Sequence, residues 1–262
     1  MHFAILTLFP EMFAPLQGSI LKRAQNTDLI SIRLVNFRDY ALSKHNNVDD
    51  LPYGGGAGMV LKPEPIYAAV RDLPETVGSR KVILTTPQGR VFSQSLAEEW
   101  SKYTELVLIC GHYEGFDERI RDLADEEVSL GDFVLTGGEL AAMVIVDAVS
   151  RLIPGVLGEA ASAQEDSHSD GLLEYPQYTR PPEFEGKQVP EILISGHHAK
   201  INRWRRKEAL RRTFLRRPDL IPGIKLEPGD YFLLEELAEE NLSIAVWREK
   251  WQYLRPIPNK RR

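Results

Sequence analysis

Short strand-like runs alternate with helix-like stretches through the first 158 residues of the chain. The strand-like runs cover residues 2–8, 30–36, 81–86 and 105–110. The intervening and following stretches predict helices over residues 63–73, 93–102, 116–124 and 139–153. The runs at 81–86 and 105–110 are apolar without alternation, which is typical of strands covered on both faces. The pattern therefore predicts an α/β domain built on a mainly parallel sheet.

The composition changes after about residue 158. Residues 159–171 are small, polar and acidic, which indicates a linker or mobile loop. Residues 172–190 are rich in Pro, Tyr and Glu and predict irregular structure, whereas the chain from residue 196 onward looks helical. A length of 262 residues suits one large domain or two smaller ones. We predict one domain over 1–158, a linker over 159–171 and a small, mainly helical domain over 172–262.

Several common site signatures are missing from the sequence. No GxGxxG follows a predicted strand, and the glycine cluster at 52–59 lacks the Lys-Ser/Thr of a phosphate-binding P-loop. HExxH and GxSxG do not occur. Cys110 is the only cysteine, which excludes an internal disulfide and a cysteine-based zinc site and fits a reducing cytoplasm. We expect no membrane association, because no signal peptide or membrane-spanning apolar run is evident.

Three glycine-bearing loops adjoin the predicted elements. Residues 111–119 follow the strand at 105–110, residues 85–89 follow the strand at 81–86, and residues 129–139 lead into the most apolar helix. In open α/β sheets, ligands bind outside the carboxyl ends of the strands. The sequence therefore predicts one nucleotide-like pocket built largely from backbone atoms. Each loop taken alone also fits an ordinary strand–helix connection.

Two further segments have alternative interpretations. The glycine cluster at 52–59 is either a flexible loop or backbone that approaches a ligand closely. Glu114 either binds a ligand hydroxyl or cation, or is solvated. The polar run at 165–168 is either a catalytic cluster or a solvated linker, because an Asp near a His does not by itself make a triad.

Charge is distributed unevenly along the chain. The formal net charge is −6, which argues mildly against a nucleic-acid partner. Residues 197–217 nevertheless hold nine Lys or Arg against one acid, a local charge of +8 on a remainder of −14. At helical spacing one face carries Arg203, Arg206, Lys207 and Arg211. This helix is either a solvated face or a binding surface for polyphosphate, and we expect Trp204 and Phe214 to pack inward.

The chain resembles a known family, the bacterial tRNA (guanine-N1-)-methyltransferases of the knotted SPOUT class. The resemblance runs from residue 1 to about residue 220. It is specific, because many long motifs occur in the family's order. The segments that carry it are residues 8–13, 48–50, 52–59, 87–90, 111–119, 131–139, 150–158, 165–167, 171–173, 176, 178–181, 195–196 and 198–199.

The resemblance implies a fold, an activity and partners. The fold is a parallel α/β sheet with a deep trefoil knot in roughly residues 80–155, a rare exception to ordinary chain topology. The activity is methyl transfer from S-adenosylmethionine to N1 of the guanosine at position 37 of tRNA, just 3′ of the anticodon. The enzymes of the family are homodimers whose active sites are shared between subunits, and they show a magnesium requirement. No metal cage is evident in the sequence.

The resemblance also assigns roles to residues. Asp166 corresponds to the general base, and Arg151 to an arginine implicated in catalysis. Residues 159–171 correspond to a lid that tRNA orders, and the basic helix belongs to the tRNA-binding domain. The implied S-adenosylmethionine site consists of Thr85, Thr86, Pro87, Gly111, Tyr113, Glu114, Leu130, Gly131, Asp132, Phe133, Val134, Leu135, Gly137 and Gly138.

The sequence departs from the family's pattern at several positions. His112 stands where Arg is common, Thr85 and Thr86 replace a Leu-Ser pair, and Ala141 replaces a proline. None of these positions is Asp166 or Arg151, so the departures predict altered affinity rather than lost activity. Two alternatives stay open: a related SPOUT enzyme that acts on a different RNA, and an RNA-binding protein without activity.

Overall fold

The computed structural model describes residues 1–158, 167–168, 171–224, 226–240 and 244. The chain divides into two compact units, Met1–Ala160 and Ala161–Arg262. Each unit has its own buried apolar core.

A five-stranded parallel sheet forms the centre of the first unit. Its strands are β1 (His2–Thr7), β2 (Ser31–Asn36), β5 (Arg80–Val91), β6 (Glu105–Cys110) and β7 (Glu126–Ser129). They lie in the order β2-β1-β6-β5-β7, and all neighbouring pairs are parallel. A separate antiparallel pair consists of β3 (Asp49–Asp50) and β4 (Val60–Leu61). The predicted α/β architecture with a parallel sheet is confirmed.

Helices cover the sheet on both faces. The α-helices are α1 (Ser19–Asn26), α2 (Pro63–Arg71), α3 (Gln94–Trp100) and α4 (Glu139–Ser150). The 3-10 helices are Pro10–Gln17, Phe37–Tyr40 and Glu118–Leu123. Successive residues of β1 enter different cores: Phe3 and Ile5 pack with α4, whereas Ala4 and Leu6 pack with α2. This alternation explains why the central strands are apolar throughout, since both faces are buried.

The structure differs from the sequence-based expectation in several places. Residues 116–124 do not form an α-helix: a short 3-10 helix begins after Asp117, whose side chain accepts a hydrogen bond from the Arg119 amide at 3.0 Å. The strand predicted at 81–86 continues to Val91, with a shift in its register against β7 between Thr85 and Arg90. β7 itself was not predicted, because its sequence begins with two glutamates.

The second unit is mainly helical. It contains a short hairpin of β8 (Glu183–Phe184) and β9 (Lys187–Gln188), and a 3-10 helix at Pro218–Gly223. Its α-helices are α5 (Glu191–Ile194), α6 (His198–Arg216) and α7 (Asp230–Glu240). Phe214 is buried, as predicted, whereas Trp204 is only partly buried.

In the part of the chain that the structure describes, no helix combines the length and apolar character needed to cross a membrane.

Candidate functional site

A cavity of about 400 Å³ lies where β5, β6 and the segment before α4 come together. This volume is within the range typical of small-ligand sites. The cavity is lined by Thr85, Thr86, Pro87, Gly111, Tyr113, Glu114, Leu130, Phe133, Val134, Leu135, Gly137 and Gly138 among others. The structure therefore brings together all the residues of the implied S-adenosylmethionine site except Gly131 and Asp132.

Gly138 is the point at which the three loops meet. Its amide donates a hydrogen bond to the Gly111 carbonyl at 2.8 Å. A Cβ atom at residue 138 would overlap Thr85 Oγ1 and lie 2.8 Å from the Gly111 amide nitrogen. Thr85 Oγ1 in turn donates to the Ile109 carbonyl at 3.0 Å. The two strand ends and the start of α4 can approach this closely only because residue 138 has no side chain.

Some lining residues are not among those implied for the S-adenosylmethionine site. They include Gln88, His112, Phe116, Glu118, Arg121 and Ala141. Most belong to the predicted loops or lie directly beside them. Their position in or next to those loops could therefore have predicted that they line the cavity. Arg121 is different, because it reaches the cavity from the 3-10 helix Glu118–Leu123.

Arg121 joins three segments at the edge of the cavity. Its guanidinium donates to Glu127 of β7, to Gln88 Oε1 at 2.7 Å and to Glu118 Oε2 at 2.9 Å. The hydrogen bond to Glu127 is the main reason that the pKa of Arg121 is raised. Because its donors are engaged, Arg121 fixes the shape of this wall.

The glycine cluster at 52–59 packs against the loop after β6. The Glu114 amide donates to the Met59 carbonyl at 3.0 Å, and the Leu61 amide donates to the Gly115 carbonyl at 2.9 Å. Gly58 has a φ of +76°, and a Cβ there would overlap the Glu114 carboxyl group. The close approach at Gly58 is thus to a side chain that lines the cavity.

A buried polar group lies behind the cavity. Glu139, only 1% exposed, accepts a hydrogen bond on Oε1 from Thr7 Oγ1 at 2.8 Å. Its Oε2 and His112 Nδ1 both lie against Gly137, and neither has a hydrogen-bond partner in the described part of the chain. Burial, and secondarily the charge of Glu139, raise the pKa of the Cys110 thiol well above its usual value. Cys110 is therefore an inert packing residue here.

Of the two residues implied in catalysis, the structure describes only Arg151. Arg151 is exposed and directly follows α4, and its amide donates to the Asp147 carbonyl at 3.2 Å. Asp166 lies outside the described residues, as does most of the predicted lid at 159–171.

The four cations predicted to bind tRNA all pair with carboxylates of the same unit. Arg203 and Lys207 contact Glu236, and Lys207 also contacts Glu240 at 2.8 Å. Arg211 contacts Glu240 at 2.6 Å and Glu208 at 3.0 Å. Hydrogen bonds from Arg203 and Lys207 lower the pKa of Glu236 to about 2. Tight pairing in the folded chain thus already balances much of the charge on this face.

Arg206 makes the most buried of these ion pairs. Its Nη2 lies 2.8 Å from Asp230 Oδ2, and its Nε donates to Oδ1 at 2.9 Å. Asp230 is 2% exposed and also accepts the Glu227 amide at 2.9 Å. The assignment of these four cations to tRNA binding stays a prediction.

The described residues contain no group of three His, Cys, Asp or Glu side chains placed to hold a metal ion.

Comparison with known proteins identifies the family. The family model described as tRNA (Guanine-1)-methyltransferase TrmD matches residues 1–223. The tRNA (guanine-N(1)-)-methyltransferase of Desulfitobacterium hafniense (strain Y51) is 69% identical over 262 residues, all of both chains. The protein of that name from Dehalococcoides mccartyi (strain CBDB1) is 60% identical over 245 residues, 92% of this chain and 99% of the other. The chain belongs to the tRNA (guanine-N1-)-methyltransferase family.

Proposed function

We propose that this protein transfers a methyl group from S-adenosylmethionine to N1 of the guanosine at position 37 of tRNA. The observation that carries the proposal is the cavity at Gly138, where the three loops expected to bind S-adenosylmethionine converge. Its volume of about 400 Å³ and its many backbone groups suit a nucleoside-sized ligand.

The chemistry fits the residues implied by the family. Guanine N1 carries a proton, so its lone pair becomes available only when that proton leaves. The Asp166 carboxylate accepts this proton as general base. Arg151 stabilises the negative charge that develops on O6 of the base. S-adenosylmethionine supplies an electrophilic methyl group, so no covalent enzyme intermediate is required.

The remaining parts of the proposal concern the whole protein. Residues 1–158 form the cofactor domain with a trefoil knot, residues 159–171 form a lid that excludes water when tRNA is bound, and residues 172–262 bind tRNA. The protein works in the cytoplasm as a homodimer with shared active sites. The resemblance also implies a magnesium requirement, which is tested by chelation with EDTA and restoration with MgCl₂.

Labelled S-adenosylmethionine tests the reaction directly. Methyl transfer is measured on two tRNA transcripts that differ only at position 37, with guanosine in one and adenosine in the other. We expect label only in the guanosine transcript, and mapping should place it at N1 of residue 37. Equal labelling of both transcripts, or label at another position, would show a different RNA target.

The role of Asp166 is tested with a matched pair of variants. Asp166→Asn removes the base, so we expect turnover to fall by about 10²–10⁴-fold while S-adenosylmethionine affinity is kept. Asp170→Asn, a nearby aspartate with no assigned role, makes the same chemical change. Equal effects of the two variants would refute Asp166 as the base.

A further inference from the structure

The cations of α6 divide between two faces of the helix. The face that carries Arg203, Arg206, Lys207 and Arg211 is paired with acidic residues, mostly of α7. At 100° per residue, a second set falls within an arc of about 80° on the other side of the helix. This second set, which we call the open stripe, consists of His198, Asn202, Arg205, Arg212 and Arg216.

The positive charge of the open stripe is not balanced locally. Among the residues that the structure describes, Arg205, Arg212 and Arg216 form no ion pair with a carboxylate. The Arg205 guanidinium instead lies over the ring of Tyr175, 4.8 Å from its centroid. Its Nε is buried and has no hydrogen-bond partner within the same described residues. Lys200 aside, the unpaired cations of α6 among the described residues therefore lie on the side of the helix away from the predicted face.

A second cavity opens beside the N-terminal half of this stripe. Its volume is about 250 Å³, below that of typical drug-sized sites, so it suits a single ring system. The walls include Tyr175, Gln177, Tyr178, His198, Asn202 and Arg205. Tyr178 is 49% exposed, which leaves aromatic surface available.

These groups match the parts of an unstacked nucleotide. Aromatic rings stack on bases, and side-chain amides form hydrogen bonds with base edges. Arginines contact phosphate oxygens, and Arg212 and Arg216 lie about 10 Å and 16 Å further along the helix axis than Arg205. Sequence-specific RNA recognition targets loops whose bases can be splayed out.

We propose that the second cavity binds one unstacked base of the RNA substrate and that Arg212 and Arg216 bind neighbouring phosphates. This inference rests on the proposed function, because it assigns a binding site for the same tRNA. It places the RNA on the open stripe rather than on the ion-paired face.

The phosphate contacts are tested by two double variants that remove the same charge from the same helix. We expect Arg212→Ala/Arg216→Ala to weaken tRNA binding at least tenfold. We also expect a weaker salt dependence: the slope of the logarithm of the association constant against the logarithm of the salt concentration should decrease in magnitude by about 1–2. The two assignments differ for Arg203→Ala/Arg211→Ala: tRNA binding by the ion-paired face predicts a large loss, whereas tRNA binding by the open stripe predicts a loss of no more than threefold. The tRNA KM should rise in the first variant with kcat and S-adenosylmethionine affinity unchanged. A larger effect of the second variant, or equal effects, would overturn the proposal.

The base contact is tested by combining protein and RNA changes. Single abasic sites are placed in turn along the anticodon loop, and binding to the full-length wild type and to Tyr178→Ala is compared. If one base occupies the cavity, its removal makes the Tyr178 change nearly neutral, so the two losses are not additive at that position. Additive losses at every position would overturn the base contact. Thermal melts establish that each variant is folded.

The controls separate this inference from the proposed function. Wild-type protein that fails to methylate guanosine 37 would refute the function itself. If the wild type methylates guanosine 37 but the open-stripe and Tyr178 variants bind tRNA as the wild type does, only the proposal for the open stripe and its cavity is refuted.

Discussion

At the scale of single residues, Gly138 explains how the cavity between the three loops can form without a standard glycine-rich signature. The sequence places glycines in three separate loops, and the structure shows why residue 138 in particular is a glycine. Thr85, Cys110 and Gly111 all approach the position that a Cβ would take there. The loops could be predicted from the sequence because each adjoins an apolar element. The contact among them could not, because it depends on the order of strands in the sheet.

The first prediction is that Gly138→Ala separates these loops. The added Cβ overlaps Thr85 Oγ1 and crowds the Gly111 amide, so backbone must move at the cavity wall. We expect S-adenosylmethionine affinity, measured by calorimetry, to fall at least tenfold. Gly229→Ala is the control, because a Cβ there meets nothing within 4 Å. Unchanged affinity in Gly138→Ala would contradict the role of this contact.

At the scale of elements, the pairing of α6 with α7 was the feature least visible in the sequence. The face of Arg203, Arg206, Lys207 and Arg211 was predicted correctly as a shared helix face. Apart from Glu208, its partners lie 24–33 residues further along the chain, and local spacing carries no information about them. Short polar strands were missed for a similar reason, since β7 is defined by its pairing with β5.

The second prediction concerns the buried pair Arg206–Asp230. Arg206→Ala leaves the Asp230 carboxylate buried without its guanidinium partner, so we expect a loss of about 3–5 kcal/mol in the free energy of unfolding. Arg217→Ala removes the partner of exposed Asp219 and should have a much smaller effect, because water screens this pair. Urea unfolding followed by circular dichroism measures both. Similar losses in the two variants would show that burial of Asp230 is unimportant.

The third prediction follows from the pKa of Glu236, which hydrogen bonds from Arg203 and Lys207 lower to about 2. A lowered pKa means that Glu236 stabilises the folded state above the pKa of the unfolded carboxyl, about 4.3, and that this contribution disappears as the pH falls to about 2. We expect the stability difference between wild type and Glu236→Gln to be constant above about pH 5 and to vanish near pH 2. High salt should reduce it, because the carboxyl is partly exposed to solvent. A difference independent of pH would contradict this assignment.

At the scale of the whole molecule, net charge is a poor guide to the partner. The total of −6 argues against nucleic acid, yet the segment at 197–217 carries +8. The structure refines this further, because carboxylates of the same unit pair with one face of that helix while Arg212 and Arg216 pair with none among the described residues. The sequence alone predicts that the segment is basic. Which side of the helix keeps unpaired positive charge depends on the ion pairs made in the folded chain.

The fourth prediction uses the strand order. β6 lies between β1 and β5, so a chain that ends at residue 104 lacks the strand that joins the two halves of the sheet. We expect this truncated chain to show no cooperative unfolding transition by circular dichroism, in contrast to the full chain. A cooperative transition in the truncated chain would show that the sheet does not need β6.

The same strand order governs what happens while the protein is being made. β1 leaves the ribosome well before its neighbour β6, which is synthesised about 100 residues later, an interval of about 5–20 s at ordinary elongation rates. Until then Phe3, Ile5 and Leu6 have no neighbour on one edge of their strand. Sheets that depend on such distant pairings fold slowly. The nascent chain therefore carries an apolar strand with one unpaired edge until β6 is synthesised, and chaperone binding in that interval would protect this edge from aggregation.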